Sequence, residues 1–144
     1  ALTPAGTVLQ NQGRFFWEGE WLDYPTVQLT VAQVAGVAVT LPSDQKVQAG
    51  KLWSGYLLVS NLGNGPDSFV LTKQASLPWA ISLPDYAGVL AQDETRQIPV
   101  SVAIPGGTAG KVDSITITAR SLFDSTISNA DVMGLTSFKP GKVK

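Results

Sequence analysis

Four apolar residues spaced two apart, Ile98, Val100, Val102 and Ile104, are separated by Pro99, Ser101 and Ala103. They can share one side of the main chain only if that chain is extended. The same alternation runs through Trp79-Ala80-Ile81-Ser82-Leu83 and through Ile115, Ile117 and Ala119. Helical periodicity is almost absent, and short apolar runs recur about every 8–12 residues, which is the pattern of a sandwich or barrel. The fold class is therefore all-β. Further strands are expected over Val34 to Leu41, Leu52 to Ser60 and Ser68 to Thr72, with a weaker last one over Thr126 to Leu135. About seven strands over roughly a hundred residues is the size of an Ig-like antiparallel β-sandwich. Trp53 and Trp79 fall inside alternating strands and are expected in its core.

Composition removes several function classes. The chain has no histidine and no cysteine. That excludes a Ser-His-Asp triad, a Cys nucleophile with its imidazole base, and a zinc site built from imidazole or thiolate. The absence of cysteine fits the cytosol and equally a bacterial exterior whose proteins are held by packing alone. Ten basic residues nearly balance eleven acidic ones, so the basic footprint of a nucleic-acid binder is missing. No run reaches the roughly 20 apolar residues of a membrane-spanning helix, and insertion into a membrane is not expected. Ala1 in place of an initiator Met suggests either a processed N-terminus, as signal-peptide removal leaves, or a trimmed start.

Between the apolar stretches Trp53 to Val59 and Phe69 to Leu71 lies Asn61-Leu62-Gly63-Asn64-Gly65-Pro66-Asp67. Gly63 and Gly65 are free to take positive φ, Asn64 tolerates the left-handed region, and Pro66 offers no N–H, so a tight polar corner between two strands is expected. The stretch Val59-Ser60-Asn61-Leu62-Gly63-Asn64-Gly65-Pro66-Asp67-Ser68-Phe69-Val70-Leu71 resembles the xNxGNGPDxFxL hallmark of Ig-like repeats on bacterial secreted and cell-surface proteins. The likeness extends to residues 31–40 and, more loosely, to 3–12. It implies a non-enzymatic domain, secreted or at the cell surface, with no cofactor.

Residues 1–33 precede this unit, with the sandwich expected over 34–135 and a short tail over 136–144. Thr7 to Trp17 reads as a strand, Glu18-Gly19-Glu20 as a tight turn, and Trp21 to Val31 as the return strand, with Pro25 making an edge or bulge. Such a hairpin is marginal alone, so it must pair with the edge of its own sandwich, with a further domain, or with another copy. Successive Phe15, Phe16 and Trp17 point to alternate faces, so both faces want cover. If Val8, Leu9, Phe15 and Trp17 were buried in a neighbour, at ~1.5–3 kcal/mol each the gross gain would be on the order of 6–12 kcal/mol. Donation of this strand, with Val8, Leu9, Phe15, Phe16 and Trp17 as contacts, would run head to tail and propagate a filament of identical copies.

The remaining candidates have simpler readings. Trp17, Trp21 and Tyr24 would form a sugar-stacking platform, for a cell-wall component or another glycan, if their rings were coplanar and exposed. Glu18 and Glu20 beside Trp17 and Trp21 sit on one turn tip without the shaped pocket that acid–base work needs, and are expected as solvated charges. Asn61, Asn64 and Asp67 offer calcium only one carboxylate, so turn-forming roles are the stronger account and no metal is expected. The sequence thus points to an extracellular, non-enzymatic structural protein that links copies of itself by strand exchange. The alternative is a carbohydrate-binding or adhesin spacer module.

Overall fold

Alternating apolar residues in the second half of the chain sort into two facing sheets. The computed structural model describes residues 2–11, 13–23 and 27–139. Among them thirteen strands occur in chain order: β1 (Val8–Asn11), β2 (Arg14–Trp17), β3 (Glu20–Asp23), β4 (Val27–Thr30), β5 (Val37–Thr40), β6 (Gln45–Gln48), β7 (Leu52–Asn61), β8 (Asp67–Ala75), β9 (Ala80–Ser82), β10 (Tyr86–Leu90), β11 (Thr95–Ala103), β12 (Val112–Ser121) and β13 (Ser128–Phe138). One sheet has the order β10-β8-β12-β13-β6 and the other β5-β7-β11-β9. All pairings are antiparallel except β6 with β13, which is parallel.

The two sheets enclose one apolar cluster. Leu57, Val59, Phe69, Leu90, Val102, Ile115, Ile117 and Leu135 have no exposed surface, and Trp53 and Trp79 are buried with them. At about 1.5–3 kcal/mol per fully buried large side chain, this cluster is the main source of stability. The all-β Ig-like sandwich anticipated from the alternation is the observed architecture.

Three features differ from the sequence-based expectation. Two strands of the sandwich leave no alternating signal. Strand β6, Gln-Lys-Val-Gln, carries a single apolar residue, and β10 is broken by a register shift between Tyr86 and Gly88, with Gly88 at φ +81°. A bulge of this kind destroys the two-residue period that betrays a strand. The last strand is not weak: β13 pairs with β12 through nine rows and buries Met133 and Leu135. It also runs to Phe138, three residues beyond the expected end at 135, while the first sandwich strand starts at Val37 rather than 34.

Three sheet edges are capped by side chains. Asn129 and Asp131 accept the N–H groups of Val39 in β5 and of Leu41 just beyond its end at 2.9 and 2.7 Å. Arg96 donates to the Ala87 and Val89 carbonyls of β10, each at 2.9 Å. Lys73 donates to the Ile81 carbonyl of β9 at 2.8 Å. Each bond occupies a main-chain group that would otherwise template another strand.

The N-terminal residues form an arm. Strand β1 pairs with β4, and β2 with β3, as two separate two-stranded ladders, and neither ladder joins a sheet of the sandwich. The hairpin expected from Thr7 to Val31 is therefore interrupted. Two residues separate β1 from β2 and three separate β3 from β4, so the two registers differ by one residue. Pro25, expected at an edge or bulge, lies in 24–26, outside the described residues.

Candidate functional site

Two features stand apart from the sandwich core: the arm, and the polar corner on which its base rests. The corner follows β7. Asn61, fully buried, folds back on its own turn: its carboxamide oxygen accepts the Gly63 N–H at 2.9 Å, and its amide donates to the Gly65 and Leu90 carbonyls at 2.9 and 3.0 Å. This is an Asx turn with every polar atom occupied. Asp67, at the other end, accepts the Ser68 and Phe123 N–H groups at 2.7 and 3.1 Å and the Ser121 hydroxyl, so it clamps the loop after β12. The Asn61 and Asp67 side-chain oxygens, weighed as calcium donors, take part in turn and clamp bonds.

Asn64 reaches out of the corner to the arm. Its carboxamide oxygen accepts the Val34 N–H at 2.7 Å, its amide donates to the Ala32 carbonyl at 2.8 Å, and its main-chain N–H donates to the Val34 carbonyl at 3.1 Å. The Ala5 N–H donates to the Asn64 carbonyl at 2.6 Å. Gln33 and Gln92 add side-chain bonds to the Pro66 and Leu2 carbonyls at 2.8 and 2.6 Å. Both ends of the arm are held at one socket.

The glycines of the corner serve packing, not an unusual φ. Neither Gly63 nor Gly65 lies in the left-handed region, contrary to the sequence-based expectation. A Cβ on Gly63 would stand 2.5 Å from the Val34 carbonyl oxygen, and one on Gly36 would stand 2.9 Å from the Leu62 carbonyl carbon. Two backbones pass too closely for any side chain.

The arm tip turns on Glu18 and Gly19, both at positive φ (48° and 79°), with Trp17 opposite Glu20. Two central residues at positive φ define a type I′ hairpin, whose twist matches that of its strands. The expected three-residue turn, Glu18-Gly19-Glu20, would have set Trp17 opposite Trp21. The observed two-residue loop shifts the register by one, which moves partners to opposite faces. Phe16 is now opposite Trp21, with ring centroids 5.3 Å apart at 61°, while Trp17 lies on the other face with Leu22. Trp17 and Trp21 therefore do not form one platform, and Tyr24 lies outside the described residues.

The donor-strand candidates lie on β1 and β2 of the arm. Val8, Leu9, Phe16, Trp17, Trp21 and Leu29 are each between 51% and 66% exposed, spread over both faces of the arm. Leu9 and Leu29 are cross-strand partners that extend the apolar surface toward the base. Phe15 pairs with Leu22 along the main chain, and its side chain is not among those described. Leu29 and the socket residue Asn64 were not anticipated as site residues. Leu29 alternates with Val27 in the short strand β4, a signal too brief to mark it as a site residue, and the reach of Asn64 to Val34 has no sequence signal.

No protein-family model and no curated protein sequence matches the chain. Solved structures do. The ASH/PapD-like domain 7 of human CEP192 superposes with a TM-score of 0.53 at 13% identity, over 74% of this chain and 87% of that one. The secreted serine protease VesC of Vibrio cholerae gives 0.50 at 18% identity over 71% of this chain, which corresponds to 23% of the protease. WR4, an MSP family member of C. elegans, gives 0.46 at 12% identity over 72% of this chain and 99% of that one. At such identities the likeness is one of fold alone: an Ig-like β-sandwich.

Proposed function

We propose that this chain is a non-enzymatic structural module of a bacterial surface or secreted assembly, linked head to tail to copies of itself through the N-terminal arm. The observation that carries this reading is the arm's exposure on both faces beside a sandwich that needs nothing further. Its own core is closed, so the arm completes no sheet of its own subunit. The same closure refines the mode of linkage. A recipient copy offers no vacant strand position inside its core, so the arm adds at a sheet edge and covers apolar surface there.

Magnitudes set the expected strength. The six arm residues are half to two-thirds exposed, so burying the remainder would yield about 1–2 kcal/mol each, a gross of roughly 6–12 kcal/mol. Association itself costs about 4–15 kcal/mol. The two are comparable, so assembly depends on concentration. A second reading, a carbohydrate-binding module, draws on the exposed Phe16–Trp21 pair, but an edge-to-face pair gives a sugar no flat surface.

Negative-stain microscopy and tryptophan emission over a dilution series test the proposal. Trp53 and Trp79 are buried already, so any blue shift on concentrating the protein reports cover of Trp17 and Trp21. Elongated particles and a blue shift, both lost in Leu9→Ser/Trp17→Ser/Trp21→Ser, are expected. Single globular particles with unchanged emission at every concentration would refute it.

A further inference from the structure

We infer that the arm of one copy is received on another copy by the open flank of β11, from Thr95 to Pro99, and by the shallow groove beside it; the inference rests on the self-assembly reading above. Strand β9 covers β11 only at Ser101, Val102 and Ala103. Among the described residues no strand lies beside β11 from Thr95 to Val100. The direction of the main chain is fixed by its ends. The Ile104 N–H donates to the Lys51 carbonyl and the Glu94 carbonyl accepts the Asn61 N–H, each at 2.9 Å, so even-numbered residues address β7. Odd-numbered Thr95, Gln97 and Pro99 turn their main-chain groups to the open side.

Those groups make a short template. Thr95 and Gln97 present both N–H and C=O, while Pro99 presents C=O alone. The template accepts about one short strand and stops there, which suits a joint between subunits rather than continuous sheet growth. Beside it, Tyr56, Leu83, Pro84, Pro99 and Ser101 line a shallow groove on the outer face of the four-stranded sheet.

Charge singles out the β1–β4 ladder of a second copy as the occupant. All eight residues of that ladder, Val8–Asn11 and Val27–Thr30, are uncharged. The outward residues of β7 and β11 are Leu52, Ser54, Tyr56, Leu58 and Ser60 and, opposite them, Ala103, Ser101, Pro99, Gln97 and Thr95. None carries a charge. Charge depletion on both sides is what the core of an interface requires. The β5, β9 and β10 edges are the ones capped by Asn129 and Asp131, Lys73, and Arg96. The chain's own arm is anchored at the Asn64 socket, and among the described residues its strands form ladders only with one another.

The chain lacks cysteine, so single thiols can be placed at will. The test mixes Gln10→Cys or Gln28→Cys protein with Gln97→Cys protein under mild oxidation, with light scattering in parallel. Disulfide-linked heterodimers through Gln97→Cys, and their absence with Thr118→Cys on the other sheet, are expected, because a disulfide demands close Cα atoms. Gln97→Pro, which removes an outward N–H, and Gln97→Lys, which leaves the backbone intact, should each abolish assembly. Equal cross-linking through Thr118→Cys, or closure within one chain in the Gln10→Cys/Gln97→Cys double variant, overturns the inference. Assembly that persists without any link to Gln97→Cys overturns it and leaves the proposed function standing. Absence of any assembly overturns both.

Discussion

Asn64 encloses the peptide groups of Val34: its carboxamide oxygen accepts the Val34 N–H at 2.7 Å while its own N–H donates to the Val34 carbonyl at 3.1 Å. One residue does what a neighbouring strand would do, and the arm's return path is held there. In Asn64→Ala the Val34 N–H and the Ala32 carbonyl lose partners, at a cost of about 2 kcal/mol in urea unfolding. Hydrogen exchange at the Val34 amide should quicken. Asn64→Asp retains the acceptor for Val34 and loses the donor to Ala32, so it should fall between.

Close approach at the corner makes a second prediction. Gly63→Ala and Gly36→Ala force backbone apart and should each cost about 2–3 kcal/mol. Gly106→Ala, where a Cβ meets nothing within 4 Å and φ is ordinary, should be neutral or gain up to about 1 kcal/mol. Thermal unfolding of the three variants decides. Equal effects would show that the corner has room to relax.

Acid should weaken the fold partly through Glu94. The Ala91 N–H, at 2.9 Å, and then the Arg96 guanidinium, at 2.8 Å, hold its carboxyl below the ordinary Glu value of 4.5. The Thr126 hydroxyl and N–H, at 2.6 and 3.0 Å, lower Asp124 in the same way. A carboxylate with a depressed folded pKa contributes stability that is present above the unfolded value and is lost as pH falls through the folded one. The unfolding midpoint should therefore drop as pH goes below 4.5, and the acid limb should be shallower in Glu94→Gln.

Arg96 should be an aggregation guard. Its guanidinium serves two carbonyls of β10 and the Glu94 carboxylate at once. Lysine, a point charge without the planar fork, does not reproduce that geometry. Both Arg96→Ala and Arg96→Lys should raise turbidity on heating, alanine more. Unchanged turbidity in both would show that the β10 edge needs no cap.

The fold was legible where apolar and polar residues alternate, as in β11 and β12, and where an apolar run is long enough for a strand, as in β7. It was hidden in β6, where polar residues outnumber the one apolar side chain, and in β10, where a bulge breaks the period. The corner was legible as a polar turn, but the reason for its glycines was not, because close approach depends on a segment thirty residues upstream. The two-faced apolar arm was legible from Phe15-Phe16-Trp17. The separation of Trp17 from Trp21 was not, since it hangs on a loop of two residues rather than three. Side-chain amides that stand in for a strand, as Asn64 does, leave no periodic trace at all.

Sedimentation velocity over a concentration series of the full chain tests the central claim most directly. If the arm links copies, the weighted sedimentation coefficient rises reversibly above the monomer value with concentration, and Leu9→Ser/Trp17→Ser/Trp21→Ser stays at the monomer value with an unchanged thermal midpoint. A single monomer boundary for the unaltered chain at every soluble concentration would contradict the account.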